Sequence, residues 1–172
     1  MAGLRLVGAP IRLLVGGLEV SVSAELPAPI DALIVEEDTF LVLSAPPEIR
    51  PVTEHPLRVF TALSEAAPLE LGAIRVRGGA PLLIQAVVDD LALDPPGSLD
   101  AVRLALLAAW AEVDRRGLRR VGLELLGAMH GGLEPVSVVD LVKAGLPERL
   151  ESLSIKVRDR DLEVVAERLR VG

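Results

Sequence analysis

The 172-residue chain has no cysteine, no tyrosine and no asparagine, a single glutamine (Gln85) and two histidines (His55 and His130). Without cysteine there can be no disulfide, no thiolate metal site and no thiol nucleophile. The two histidines lie far apart, so no His-rich metal site is expected. Aromatic residues make up only 2% (Phe40, Phe60 and Trp110), so the core must be built from Leu, Val, Ile and Ala. No uncharged apolar run approaches the ~18 residues of a membrane span. Met1–Arg12 carries two arginines with no sustained apolar stretch behind them, unlike a signal peptide. The expectation is a cytoplasmic protein with no membrane partner. A net charge of −7 opposes phosphate backbones over most of the surface, so no nucleic-acid partner is expected. A small anion held by backbone N–H groups stays compatible with that charge. The scarcity of thermolabile residues together with 13 prolines fits a thermophilic source, and a GC-rich genome would favour the same composition.

The apolar content is 51%, and the length suits a single domain spanning residues 1–172. Ile11–Val15 and Leu18–Ser23 read as strands joined by a tight turn at Gly16-Gly17. Ala32–Val35 is a short apolar run of the kind found in a strand covered on both faces, and it ends in Glu36-Glu37-Asp38. Phe40–Leu43 is a further candidate strand. Ser44–Pro56 is a Pro-rich loop, and Leu57–Ala67 has helical spacing. Ala73–Arg77 and Leu82–Val88 read as strands, and Asp89–Gly97 as a loop. Ser98 is a good N-cap for a helix running to about Arg116, with Gly117 as its C-cap. Leu99, Val102, Leu106, Ala109 and Val113 form that helix's inner stripe; Leu104, Leu107 and Trp110 widen its apolar surface. Arg120–Leu125 reads as a strand, and Pro135 begins a helix to about Lys143. Leu153–Val157 is a strand, and Asp159 caps a last helix to about Leu169. The strand–helix alternation of the second half implies parallel strands with helices on both faces, and the strand-rich start implies an antiparallel edge. The expected fold class is α/β, three-layer α/β/α with a mixed sheet.

The strongest local signal is Leu125–Gly132, where a buried strand opens into Gly127-Ala128-Met129-His130-Gly131-Gly132 ahead of a helix. Glycines let successive N–H groups converge on a phosphate, and the C-terminal edge of a parallel sheet is where open α/β folds place ligands. A plain connecting turn has the same composition. No Lys-Ser/Thr follows the glycines, their spacing is not that of a dinucleotide fingerprint, and there is no Gly-x-Ser-x-Gly elbow.

This element resembles the second phosphate loop of macro domains. Ile30-Asp31-Ala32-Leu33-Ile34-Val35 is similar to that family's Asp-Ala-Ile-Val strand, Gly72-Ala73-Ile74-Arg75-Val76 to its Gly-x-(Ala/Val)-x-x-Thr strand, and Leu83-Ile84-Gln85-Ala86-Val87 to its Val-Ile-His-x-Val strand. The likeness runs over roughly residues 11–169. It implies a macro-domain-like sheet and a nucleotide or phosphorylated-metabolite ligand, ADP-ribose-like, held at Gly127, Ala128, Met129, His130, Gly131 and Gly132, with Gln85 nearby. Three departures stand out. Gly16-Gly17-Leu18-Glu19 lacks the family's adenine-reading Asp. Val35-Glu36-Glu37-Asp38 replaces Asn-Ala-Ala-Asn. Ser44–His55, with its prolines and glutamates, replaces the first glycine-rich phosphate loop. The family's Asn-dependent chemistry is therefore absent, so no catalytic residue, metal or cofactor is assigned.

Three functional readings follow: a binding module with the family's catalytic residues lost, an oligomeric structural or interaction protein with a dead nucleotide site, and a hydrolase of ADP-ribosyl or phosphoester groups using His130 or an acidic residue. The apolar surface around Trp110 motivates the homo-oligomer. Glu36, Glu37, Asp38, Asp89 and Asp90 read as solvated loop carboxylates, with an acidic cation-binding cleft as the alternative. Arg115, Arg116, Arg119 and Arg120 read as a solvated helix end. Under the binding reading, Gly131→Glu abolishes ligand binding and leaves the fold intact.

Overall fold

In a computed structural model, residues 9–27, 29–44 and 67–171 are described. They form seven strands: β1 (Ile11–Val15), β2 (Leu18–Ser23), β3 (Ala32–Asp38), β4 (Ile74–Arg77), β5 (Leu82–Asp89), β6 (Arg120–Glu124) and β7 (Ser152–Lys156). Three helices accompany them: α1 (Leu99–Arg116), α2 (Pro135–Ala144) and α3 (Leu162–Arg170). The strands make one mixed sheet in the order β1-β2-β7-β6-β3-β5-β4. The five central strands are parallel, and β1 and β4 close the two edges as antiparallel partners of β2 and β5. Gly16 and Gly17 both have positive φ (58° and 91°), the backbone that a two-residue hairpin turn demands, so Gly16-Gly17 sets the β1–β2 register.

α1 follows the expected caps closely. The Ser98 side chain accepts a hydrogen bond from the Ala101 N–H at 3.2 Å, and Gly117 ends the helix in a left-handed conformation. Pro135 occupies the first turn of α2, where its missing N–H costs nothing. Asp159–Asp161 forms a 3-10 turn rather than a side-chain cap, and α3 starts at Leu162.

The three helices pack in a row over one face of the sheet, α1 on β5 and β4, α3 on β1 and β2, with α2 between them. Val102, Leu106, Ala109, Val113, Val138, Val142, Val165 and Leu169 meet Val20, Ile34, Ile84, Leu123 and Ile155 in one aliphatic core. Val35, Glu37, Gln85 and Val87, on the other face, are buried as well. The central strands thus read as near-continuous buried runs, as parallel strands covered on both faces do. The predicted helix Leu57–Ala67 falls almost wholly outside the described residues.

Two expectations are corrected. Phe40–Leu43 is a turn, not a strand, because Asp38 takes its N–H groups (below). Trp110 is buried, and the apolar surface left on α1 is that of Leu99, Leu104 and Leu107. The arginine cluster is a paired surface: Arg115 and Arg116 hold Glu112, Arg119 holds Glu151, and Arg120 holds Asp31. The N-cap gives a direct check of α1. Ser98→Ala should lower the unfolding free energy by about 1 kcal/mol in urea denaturation, with the m-value unchanged.

Candidate functional site

The parallel strands end at one edge of the sheet, where the connections after β3, β5 and β6 meet. β3 is flanked by β5 on one side and β6 on the other, so successive connections run in opposite directions from it; such a switch point leaves a crevice in open α/β sheets. The chemistry at this edge comes from residues that the sequence pattern suggested were solvated.

Glu36, Glu37 and Asp38 are not loop carboxylates. They are the last three residues of β3, and all three are buried. The ladder to β5 carries the strand past the apolar run, pairing Glu36 with Ala86, Glu37 with Val87 and, after a register shift, Asp38 with Asp89. A buried carboxyl must find donors or hold a proton.

Glu36 finds its donors in the glycine loop. The N–H groups of Met129, His130 and Gly131 donate to its carboxylate at 3.1, 2.8 and 3.2 Å. The His130 imidazole Nδ1 lies 3.3 Å from Glu36 Oε1. Three successive backbone donors converging on one carboxylate form an anion cradle. Asp38 is satisfied locally: Phe40, Val42 and Leu43 donate their N–H groups to it at 2.6, 3.0 and 3.2 Å, holding the turn that contains Leu41 at φ 60°. Glu37 points to the opposite face of the sheet from Glu36 and receives the Gln85 Nε2 amide at 2.8 Å and the Ser44 N–H at 3.2 Å. Its second oxygen has no partner, and burial pushes its carboxyl up.

Asp89 closes β5 and is fully buried, and neither of its carboxyl oxygens receives a donor. It lies in a slot between two glycines: a Cβ on Gly97 would come within 2.6 Å of Asp89 Oδ1, and one on Gly131 within 2.3 Å of it. Burial first, and then the hydrogen bond and negative charge of Glu36, push the Asp89 carboxyl up to about 7. Asp89 has no N–H donor to hold its charged form, whereas Glu36 has three.

The other residues expected in the site have distinct fates. Gly127 is buried at φ 70°, and a Cβ there would strike Leu133 Cδ1 at 2.5 Å, so this glycine serves packing and the turn. Ala128 is buried, with its N–H donated to the Leu125 carbonyl at 3.0 Å. Met129 is half-buried, and His130 and Gly132 are exposed. Gln85 is bound to Glu37 and Ser44 on the face opposite the Glu36 carboxylate, so it is not a neighbour of the loop. Gly131→Glu cannot leave the fold intact, because any side chain at 131 collides with Asp89. Glu124, at the end of β6, accepts the Glu36 N–H at 3.3 Å and pairs with Lys156 at 2.9 Å. Among the described residues no group of three or more His, Asp or Glu side chains is arranged to hold a metal ion.

The pair makes stability depend on pH. A carboxyl whose folded value is about 7 binds a proton in the folded state that the unfolded chain, at about 3.8, has already released. Stability therefore falls as pH rises from about 4 to 7 and is level above that. Asp89→Asn should flatten this slope and make the protein the more stable of the two at pH 8, by up to about 4 kcal/mol. Chemical denaturation at pH 4.5, 6 and 8 checks it; a wild-type slope retained in the variant would assign the proton elsewhere.

No protein-family model matches the chain, and no curated protein matches it. Solved structures do. The Oceanobacillus iheyensis macrodomain with ADP superposes with a TM-score of 0.67 at 13% identity, over 94% of this chain and 95% of that one. The Trypanosoma brucei macrodomain in complex with ADP-ribose gives 0.56 at 14% identity, over 89% and 69%. An alphavirus P23pro-zbd structure gives 0.61 at 17% identity, over 88% of this chain and 23% of that one. With its mixed seven-stranded sheet, order β1-β2-β7-β6-β3-β5-β4, the chain has the macro domain fold.

Proposed function

We propose that the chain is a binding module for a nucleotide or other phosphorylated metabolite, ADP-ribose-like, recognised at the Met129–Gly131 cradle and not chemically processed there. The observation that carries this reading is the convergence of three consecutive N–H groups on one carboxylate: the loop backbone is already arranged for an anion. Two solved macrodomains of the same fold hold ADP and ADP-ribose, which supports a nucleotide as the ligand class. The chain has no Asn, and Asp38, one candidate substitute, is committed to the turn that follows β3. His130 is exposed beside the cradle, its Nδ1 3.3 Å from Glu36 Oε1, and in this reading it donates to a bound phosphate.

Titration of the 15N-labelled protein with ADP-ribose should shift the amide resonances of Met129, His130 and Gly131, and His130→Ala should weaken binding severalfold. Unmoved loop amides at several millimolar ligand would sink the reading.

A second reading, self-association, rests on Leu104 and Leu107, which leave 46% and 54% of their surface exposed on α1. Light scattering after size exclusion should then give a dimer or larger species, converted to monomer by Leu107→Glu; a monomer at 100 µM would end it.

A further inference from the structure

The cradle that would receive a phosphate is already filled by the chain itself. The Met129, His130 and Gly131 N–H groups each have one hydrogen to give, and each gives it to Glu36. The Glu36 side chain is wholly buried, with His130 over it on the solvent side. A phosphate oxygen in the same cradle needs the same hydrogens, so the two cannot be accommodated together.

We infer that Glu36 is a resident internal anion, a tethered competitor that decides which ligands the site admits. This rests on reading the loop as an anion cradle. A tethered competitor acts at a high effective concentration, so an external anion has to displace it at an energetic cost. The surroundings reinforce the exclusion. Asp89 faces Glu36 from the end of β5, and Asp38 adds negative charge to the same cluster from the end of β3. Glu124 approaches from β6, with Lys156 of β7 already paired to it, and the His130 imidazole is the remaining neighbour. A phosphate entering the unmodified site meets one carboxylate on its donors and a second carboxyl beside them. A phosphate therefore takes the cradle only after displacing the Glu36 carboxylate.

The test compares wild type, Glu36→Ala, and Glu36→Ala combined with Asp89→Asn, using inorganic phosphate and ADP-ribose as probes in calorimetric titrations and following the Met129–Gly131 amides by NMR. Truncation at 36 frees the three N–H groups, and Asp89→Asn removes the acidic group beside them. At least a tenfold gain in phosphate affinity over wild type, seen at those amides and larger in the double variant, is the expected result. A gain for both probes supports the inference and the nucleotide reading together. A gain for phosphate without binding of ADP-ribose supports the inference and removes the nucleotide reading. Wild type binding ADP-ribose as tightly as the variants overturns the inference and leaves the reading standing. No binding of either probe by any of the three proteins overturns both. If Glu36→Ala does not fold, Glu36→Gln decides the matter, since it keeps the shape and removes the charge: higher phosphate affinity than wild type supports the inference, and unchanged affinity overturns it.

Discussion

The C-terminal edge of the sheet is organised by one contact, the Glu36 carboxylate held by three loop N–H groups. A carboxylate cannot be buried without donors, and hydrogen bonds to a charged acceptor are worth about 1.5–3 kcal/mol each. Satisfying Glu36 fixes the path of the loop after β6, brings Gly131 against β5, and leaves Asp89 no neighbour on that side except a residue without a Cβ. The shape of the loop and the need for glycine at 131 follow from where one side chain lies, and its charge adds to the burial that raises the Asp89 carboxyl.

Each of the four buried carboxyls at this edge meets the cost of burial differently. Glu36 takes the glycine loop, Asp38 takes the N–H groups of the following turn, Glu37 takes the Gln85 amide, and Asp89, without donors, has its carboxyl pushed up to about 7. Where three backbone N–H groups serve one carboxylate there is no demand for a metal ion, and the arrangement differs from an acidic cleft with its oxygens turned to solvent. It also inverts the charge expected at a diphosphate site. The macro domain fold is kept, while the polarity at the centre of the edge is that of an anion already bound.

Much of the fold was legible because its signals are local. Ser98 and Gly117 bracket α1, Pro135 opens α2, and Gly16-Gly17 turns the first hairpin. The site was legible only as a backbone: the glycine loop reads as an anion cradle, and three of its N–H groups hold the Glu36 carboxylate. Its occupant was hidden, because Glu36-Glu37-Asp38 looks like the polar end of a strand. The contacts that bury it are long-range: Ala86 lies 50 residues on, and the amides at 129–131 lie 93 to 95 residues on. Gln85 was misjudged for a related reason. Its place in the strand was right, but alternation sends its side chain to the face opposite the loop. One signal could have helped: the three acidic residues that directly continue the apolar run stay in the ladder because the neighbouring strand, Leu82–Asp89, is longer.

Trp110 gives the molecule a spectroscopic property of its own. It is the sole tryptophan in a chain without tyrosine, and it is buried between α1 and the end of α2, with its ring edge 3.2 Å from where a Cβ on Gly145 would stand. Its indole N–H meets no acceptor, so the ring sits in a nearly apolar setting. Ultraviolet emission from this protein is therefore a single-site report on the α1–α2 seam. A blue-shifted band that reddens on heating would follow the separation of those two helices.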